Sequence, residues 1–361
     1  MQALHLLDTD LNLLGEIAGY TSLRIKRSFR AVGDFQMELP LTHPMTARIG
    51  RDMILCPVGH PEKAVLVEDI ATEESKGKAT FKGYPLSGIY KRRICVPPTA
   101  SGGYGYDRII GNAETVMKHY IANNVTAPES AARKIDCIEL EENGNRGMAS
   151  VPWSARFEEL DDVLAQIGEY SDSGFDIVPD FTKKKLIARF LPGRDMTGAD
   201  GVHRVMFSSN MGNVLTAQYA ESGRKLKNAA VVAGAGEDED RLIVLYGTAQ
   251  GLDRREMYVD GGSEADPAEL NAKAAHMLAE RTLDQSIKQT VKDTPSCRYG
   301  VHWDLGDLVV VCAHERQMHA RITQVQEAHE PNKPPKLTVT FGEAAEGIER
   351  VIRQRTRTVA R

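Results

Sequence analysis

Along the first hundred residues, apolar and polar side chains alternate with a period of two more than with the 3.6-residue period of a helix. Residues 33–40 set Phe35, Met37 and Leu39 on one face and Gln36 and Glu38 on the other, which predicts a half-buried strand. Residues 52–58, 64–72 and 78–82 predict further strands, separated by Gly, Pro and charged turns, so the region reads as a small antiparallel barrel or sandwich. Residues 97–105 (PPTASGGYG) break the pattern and mark an expected domain boundary. Beyond them, residues 112–121 and 155–170 space their apolar residues at three and four. Phe157, Leu160, Val163, Leu164 and Ile167 would share one face of an amphipathic helix. Strand patterns return at 205–208, 214–221, 228–233 and 241–246. A helical segment at 267–283 interrupts them before a strand at 308–311. The class expected is α+β, mainly β.

The chain repeats itself weakly. Gly50-Arg51-Asp52-Met53-Ile54-Leu55-Cys56 is similar to Leu305-Gly306-Asp307-Leu308-Val309-Val310-Val311-Cys312. Each stretch leads through a charged turn to an alternating strand, Val67-Glu68-Asp69-Ile70 in one copy and Ile322-Thr323-Gln324-Val325 in the other. Each closes on a lysine-containing turn and a short strand, Thr80-Phe81-Lys82-Gly83 against Thr340-Phe341-Gly342. The order of parts matches, and the spacing from Asp52 to Phe81 is close to that from Asp307 to Phe341, within turn-length variation. A structural duplication is expected, with Asp52 matched to Asp307 and residues 35–40 matched to residues 308–311.

Composition narrows the function classes. At 361 residues the chain exceeds one comfortable core and suggests two or three domains. Its 42% apolar and 26% charged residues belong to a folded protein. A net charge of −5 argues against a surface built to grip phosphate backbones. The N-terminal stretch carries Asp8, Asp10 and Glu16 and no basic leader, so no secretory signal is expected. No run reaches the ~20 apolar residues of a membrane span. The five cysteines (Cys56, Cys95, Cys137, Cys297, Cys312) are odd in number and lack a CxxC pair, so they read as core residues in a reducing cytoplasm, not as disulfides or a zinc ribbon.

Each candidate for chemistry meets a geometric objection. His314-Glu315-Arg316-Gln317-Met318-His319 approaches a zinc-protease pattern, but its histidines are one position too far apart and would diverge by roughly 140° on a helix. Flanking strands make it a hairpin tip. Asp8-Thr9-Asp10-Leu11-Asn12 opens like a calcium loop, but Leu13 stands where glycine is needed and Gly19 where a bidentate glutamate belongs, so a hairpin turn is expected. Gly234-Ala235-Gly236 precedes four acidic residues, Glu237 to Asp240, that would repel a phosphate, which leaves a solvated loop. Asp161-Asp162 or Glu141-Glu142 could serve glycoside hydrolysis, but the first pair lies on the expected helix, where adjacent side chains diverge by roughly 100°, and solvated surface is the better reading. Asn124-Val125-Thr126 matches a glycosylation acceptor and has no meaning without export. Catalytic, cofactor-binding and metal-binding residues are all expected to be none.

Several residue groups together carry a resemblance. They are Gly33-x-Phe35-x-Met37-x-Leu39-Pro40, Lys82-Gly83-x-x-Leu86 leading to Tyr90-Lys91-Arg92-Arg93, Leu191-Pro192-Gly193-Arg194-Asp195, Phe207-Ser208, and Asn228-Ala229-x-Val231-Val232-Ala233-Gly234. Asp253-Arg254-Arg255-Glu256, Tyr299-Gly300, Leu305-Gly306-Asp307-x-Val309 and Phe341-Gly342 complete them. In this order, over nearly the whole chain, they resemble the siphophage tail-tip proteins of the ReqiPepy type, which are similar to the N-terminal hub of tail-associated proteins and to myovirus baseplate hubs. The resemblance implies a non-enzymatic virion subunit at the tail tip, made in the host bacterial cytoplasm. It implies a homotrimeric ring in which two barrels per subunit adapt a sixfold tube to a threefold tip, and DNA passes through without specific binding. Partners would be the distal tail protein, the tape-measure protein and tail fibre or spike proteins.

The implied architecture is multi-domain, with two similar antiparallel β-barrel domains and two mixed α/β inserts. Its limits are 1–98 for the first barrel, 99–202 for an α+β domain, 203–259 with 286–345 for a discontinuous second barrel, 260–285 for a helical insert, and 346–361 for a basic tail. The chain ends soon after the second barrel, so a built-in lytic domain is not expected. The terminal arginines (Arg350, Arg353, Arg355, Arg357, Arg361) could meet nucleic acid or an acidic partner subunit. Two other functions compete with this one. A tail-borne peptidoglycan hydrolase would need one of the arrangements rejected above. A host-carbohydrate-binding module would need exposed aromatic platforms, whereas aromatics are 6% of the chain and tryptophan is limited to Trp153 and Trp303.

Overall fold

The computed structural model describes residues 2–99, 105–201, 203–279, 281, 284–313 and 316–342. It is mainly β, as the alternation predicts, and divides into a larger unit (residues up to 217 with 288–341) and a smaller one built on residues 218–287.

The larger unit is organised by one sheet. Strand Ser22–Ser28 pairs antiparallel with Asp34–Pro40, that strand with Lys78–Pro85, and that in turn with Val65–Glu73. Ile54–Pro57 follows, then Leu4–Leu7 and Leu13–Ile17 at the edge. Asp34–Pro40 alternates between buried and half-buried as its sequence requires. Ile54–Pro57 is buried at every position. The reason is that it separates two cores. Leu55 faces a cluster with Phe35, Met37, Val67 and Phe81, while Ile54 and Cys56 join a second cluster formed by the helices.

That second cluster holds helices Ala113–Ile121 and Leu160–Ser171 with Tyr90, Phe175 and Phe190. Around them lie the pair Asp107–Gly111 with Val151–Ala155, and Lys185–Leu191 paired antiparallel to Gly174–Asp180 and parallel to Ile138–Leu140. Asn112 caps the first helix by accepting from the Thr115 amide at 2.9 Å. The second helix starts at Leu160 and not at residue 155. Phe157 has φ of 61° and is 47% exposed, so it does not join the helix face. Backbone bonds from Phe157 to Cys95 and from Leu160 to Arg93 hold this stretch extended before the helix can begin.

One buried ion cluster ties the first helix to the loop after Ile138–Leu140. The Glu114 carboxylate is fully buried and accepts from Arg146 Nη2 at 2.7 Å, from Lys118 Nζ at 2.6 Å and from the amides of Gly144 and Arg146. Burial alone would raise its pKa, but these donors outweigh burial and hold it well below the usual carboxylate range. A carboxylate depressed in the native state stabilises fully above the ordinary glutamate pKa of ~4.3, and the contribution falls away as pH drops below that value. Urea titrations of the larger unit should therefore lose stability below about pH 4.3, and Glu114→Gln should flatten that slope while lowering stability at pH 7. An unchanged slope would contradict this.

The smaller unit has strand Ala229–Ala233 at the centre, antiparallel to Ile243–Tyr246 and parallel to Glu256–Asp260. Helix Pro267–Ala279 sets Leu270 and Ala274 against Ala230, Val232 and Val259. The helical segment is expected to reach residue 283, but Arg281 is already a bend, its carbonyl accepting from the Lys227 amide at 2.9 Å, and residues 280, 282 and 283 lie outside the described residues.

Candidate functional site

Most of the described residues whose types suggested chemistry hold turns, strands and cores together. Asp8 Oδ1 accepts from the amides of Asp10 (3.0 Å) and Asn12 (2.8 Å), closing the hairpin between Leu4–Leu7 and Leu13–Ile17. The bonds to Asn12 lower the Asp8 pKa. Glu141 accepts from Arg146 and from the Phe190 amide, both at 2.6 Å. Asn124 is fully buried, with its Oδ1 on the Val96 amide at 2.9 Å. Residues 234–240 connect the antiparallel strands Ala229–Ala233 and Ile243–Tyr246 through a single 3-10 turn, Asp238–Asp240, and no α-helix follows the glycines before the next strand. His319 lies on strand Arg316–His329 opposite Val310, while His314, Glu315 and the terminal arginines lie outside the described residues. Burial pushes the Cys56 and Cys95 thiols up to about 12, which suits core residues and not nucleophiles. Trp303 is buried and Trp153 half-buried beside Tyr170, with ring centroids 6.2 Å apart.

Asp161 and Asp162 depart from the expectation. Oxygens of Glu159, Asp161 and Asp162 all lie within 4.8 Å of one another, because Glu159 precedes the helix and folds back on its first turn. Burial, then Asp162, raises the Asp161 pKa.

The feature that stands out is the repeat. Ile54–Pro57, Val65–Glu73 and Lys78–Pro85 form an antiparallel meander, and so do Leu308–Ala313, Arg316–His329 and Lys336–Gly342. Each middle strand carries a bulge against the last, between Val67 and Asp69 in one copy and between Ile322 and Gln324 in the other. Each entry turn bonds reciprocally to the residue before that bulge. Asp52 N donates to Val67 O and Val67 N to Met53 O, while Gly306 N donates to Ile322 O and Ile322 N to Asp307 O. Asp52 is thus the counterpart of Gly306, one position away from the expected match with Asp307. Both have left-handed backbones, φ 64° and 89°, a conformation that Gly and Asp tolerate better than most residues.

The flanking strands extend the repeat to five. Ser22–Ser28, Asp34–Pro40 and Lys78–Pro85 are successive neighbours, and so are Val214–Ser222, Asp284–Val291 and Lys336–Gly342. Of this second set the larger unit holds residues 214–217, 288–291 and 336–341. Residues 35–40 therefore correspond to a stretch of Asp284–Val291, and residues 308–311 correspond to Ile54–Pro57. The expected match between 35–40 and 308–311 is incorrect. Among the described residues the strands do not close into two separate barrels. Both copies share one open sheet of 13 strands, joined where residues 324–329 pair with Ser22–Ser28.

Side chains specific to each copy brace these turns. Arg92 bridges Asp52 of the turn and Glu68 of the bulge, each at 2.6 Å, and Tyr84 donates to Glu68 at 2.7 Å, a bond that lowers the Glu68 pKa. Gly83 lies opposite Val67 next to the bulge, where a Cβ would meet Leu66 O at 2.0 Å. In the second copy Arg194 forks onto both oxygens of buried Asp307, at 2.8 and 2.5 Å. In the smaller unit Asn228 joins the Ala229–Ala233 strand to residues 253–255 through Asp253 O (2.6 Å) and Arg255 N (2.8 Å). Of these, Gly83, Arg92, Arg194, Asp307, Asn228, Asp253 and Arg255 also carried the resemblance in sequence, whereas Asp52, Glu68 and Tyr84 did not.

A family model described as Siphovirus ReqiPepy6 Gp37-like protein matches residues 3–343. The chain belongs to that family. No curated protein matches it. Among solved structures, this ReqiPepy6 Gp37-like chain is similar to the tail protein from Neisseria meningitidis MC58, at 14% identity and a TM-score of 0.59, covering 94% of this chain and 96% of the other. It is similar to the prophage MuSo2 43 kDa tail protein from Shewanella oneidensis, at 13% identity and a TM-score of 0.57, covering 94% and 98%. It is also similar to prophage tail protein gp18 from Listeria monocytogenes EGD-e, at 10% identity and a TM-score of 0.53, covering 100% of each chain. At these identities the likeness is one of fold. No helix among the described residues is long and apolar enough to cross a membrane.

Proposed function

We propose that the chain is a structural component of a phage or phage-like tail tip or baseplate hub. Three copies would close into a ring that joins the tail tube to the tip and surrounds the DNA channel. The observation that carries this reading is the use of one five-strand pattern twice in a single open sheet. Three such chains present six similar positions, which suits the junction of a sixfold tube with a threefold tip. In this reading the two barrels, 1–98 and 203–259 with 286–345, are completed in the ring and not within one chain. Residues 99–202 and 260–285 are additions to them, and 346–361 form a basic tail. The neighbours are a distal tail protein, a tape-measure protein and fibre or spike proteins, with DNA passing through unread. A purely structural role is supported by the commitment of Asp8, Glu141, Asn124 and the buried cysteines to turns and cores.

Antibody labelling of intact particles tests the location. Label at the tail tip is expected. Label along the shaft or at the head would overturn the reading, and so would clearing of cell walls by the purified chain.

A further inference from the structure

The two copies of the repeat differ at one strand edge, and the difference points to a partner. Arg316–His329 has Lys336–Gly342 on one side and is also paired with Leu308–Ala313 along 316–321 and with Ser22–Ser28 along 324–329, from Gln324 opposite Ser28 to His329 opposite Leu23. Its counterpart Val65–Glu73 has Lys78–Pro85 on one side, but Ile54–Pro57 reaches only Leu66 and Val65 on the other. Among the described residues no further strand lies along 69–73. Counting from the bulges, residues 69–73 correspond to 324–328. Asp69 to Thr72 are exposed, Ile70 at 41%.

The repeat also identifies the missing strand. The counterpart of Ser22–Ser28 is Val214–Ser222, which ends the sheet with Asp284–Val291 as its one described neighbour, and its Leu215 is 59% exposed. The sheet's other end, Leu13–Ile17, has no counterpart in the repeat, so the internal pairing sets no strand against it. We infer that residues 69–73 of one copy pair antiparallel with Val214–Ser222 of a second copy, as residues 324–329 pair with Ser22–Ser28 within the chain. This rests on the hub reading and supplies its contact. Each chain then offers one open edge and one terminal strand, a head-to-tail contact that ends either in a closed ring or in an open filament. Pairing satisfies backbone groups that an open edge leaves to water or to aggregation, and it brings Ile70 and Leu215 out of solvent.

Two measurements on the full chain test it. In hydrogen exchange, the amides of 69–73 and 214–222 should slow together, by about tenfold or more, when the chain passes from dilute monomer to assembled particle. In the double variant Thr72→Cys with Thr216→Cys, a short bismaleimide should give covalent dimers and trimers beyond those from either single variant or the unsubstituted chain. A particle of trimer mass in which both edges exchange freely and the double variant gains no cross-link would overturn the strand pairing and leave the hub reading standing. A chain that stays monomeric at every concentration would overturn both. If the cysteine variant does not fold, exchange in the unaltered chain still decides.

Discussion

Replacing Gly306 with alanine is expected to cost the larger unit about 3 kcal/mol, the combined scale of left-handed strain and overpacking. Gly306 has φ of +89°, and a Cβ there would meet the ring of Phe29 at 2.3 Å. Phe29 cannot retreat. It is fully buried, a Cβ on Gly174 would lie 2.1 Å from its carbonyl oxygen, and the Arg30 and Arg321 guanidiniums sit over its ring at 5.9 and 5.7 Å. Gly212 supplies the control. Its φ is +69° with nothing within 4 Å, so Gly212→Ala should cost only the backbone term, about 1 kcal/mol. Trp153 and Trp303 both belong to the larger unit, so tryptophan fluorescence in urea reports this unit by itself. Equal costs for the two variants would mean that Phe29 does not hold the second turn in place.

The second large effect is expected at Arg27. Its guanidinium, 5% exposed, reaches Asp176 at 3.2 Å, Asp304 at 3.3 Å and the Tyr299 hydroxyl at 2.9 Å. Burial would lower its pKa, but Tyr299, Asp176 and Asp304 raise it well above the usual value, so it remains charged. Arg27→Met would leave Asp176, itself buried, with the half-buried Arg189 at 3.4 Å in place of its nearer, buried partner, and should cost about 3 kcal/mol because a buried charge is left only partly compensated. Adding Asp176→Leu should recover part of that loss, since the orphaned charge goes with it. A single variant costing less than about 1 kcal/mol, the scale of an exposed pair, would contradict this.

Arg27 also explains part of what the sequence concealed. Ser22–Ser28 alternates like any half-buried strand, but its inward row ends on an arginine instead of an apolar residue, and Arg24 and Lys26 make the segment look like surface. Lys185–Leu191 was hidden in the same way by the lysines before it, although Leu186, Ala188 and Phe190 alternate cleanly. The meanders were legible because their strands are long and periodic. Their register was legible only to within one residue, because what the copies share is a left-handed turn and two reciprocal hydrogen bonds, which Asp52 meets in one copy and Gly306 in the other. The outer strands of the repeat left no trace in sequence. Asp34–Pro40 and Asp284–Val291 share a place in the sheet and no motif. The closeness of Glu159 to Asp161 and Asp162 depends on where a helix begins, and apolar periodicity locates that point poorly.

Ring formation is tested most directly by the mass and symmetry of the purified particle, by native mass spectrometry with averaged electron micrographs. The expected result is three chains in a closed ring with near-sixfold features on one face. A particle that is strictly dimeric under all conditions would contradict it.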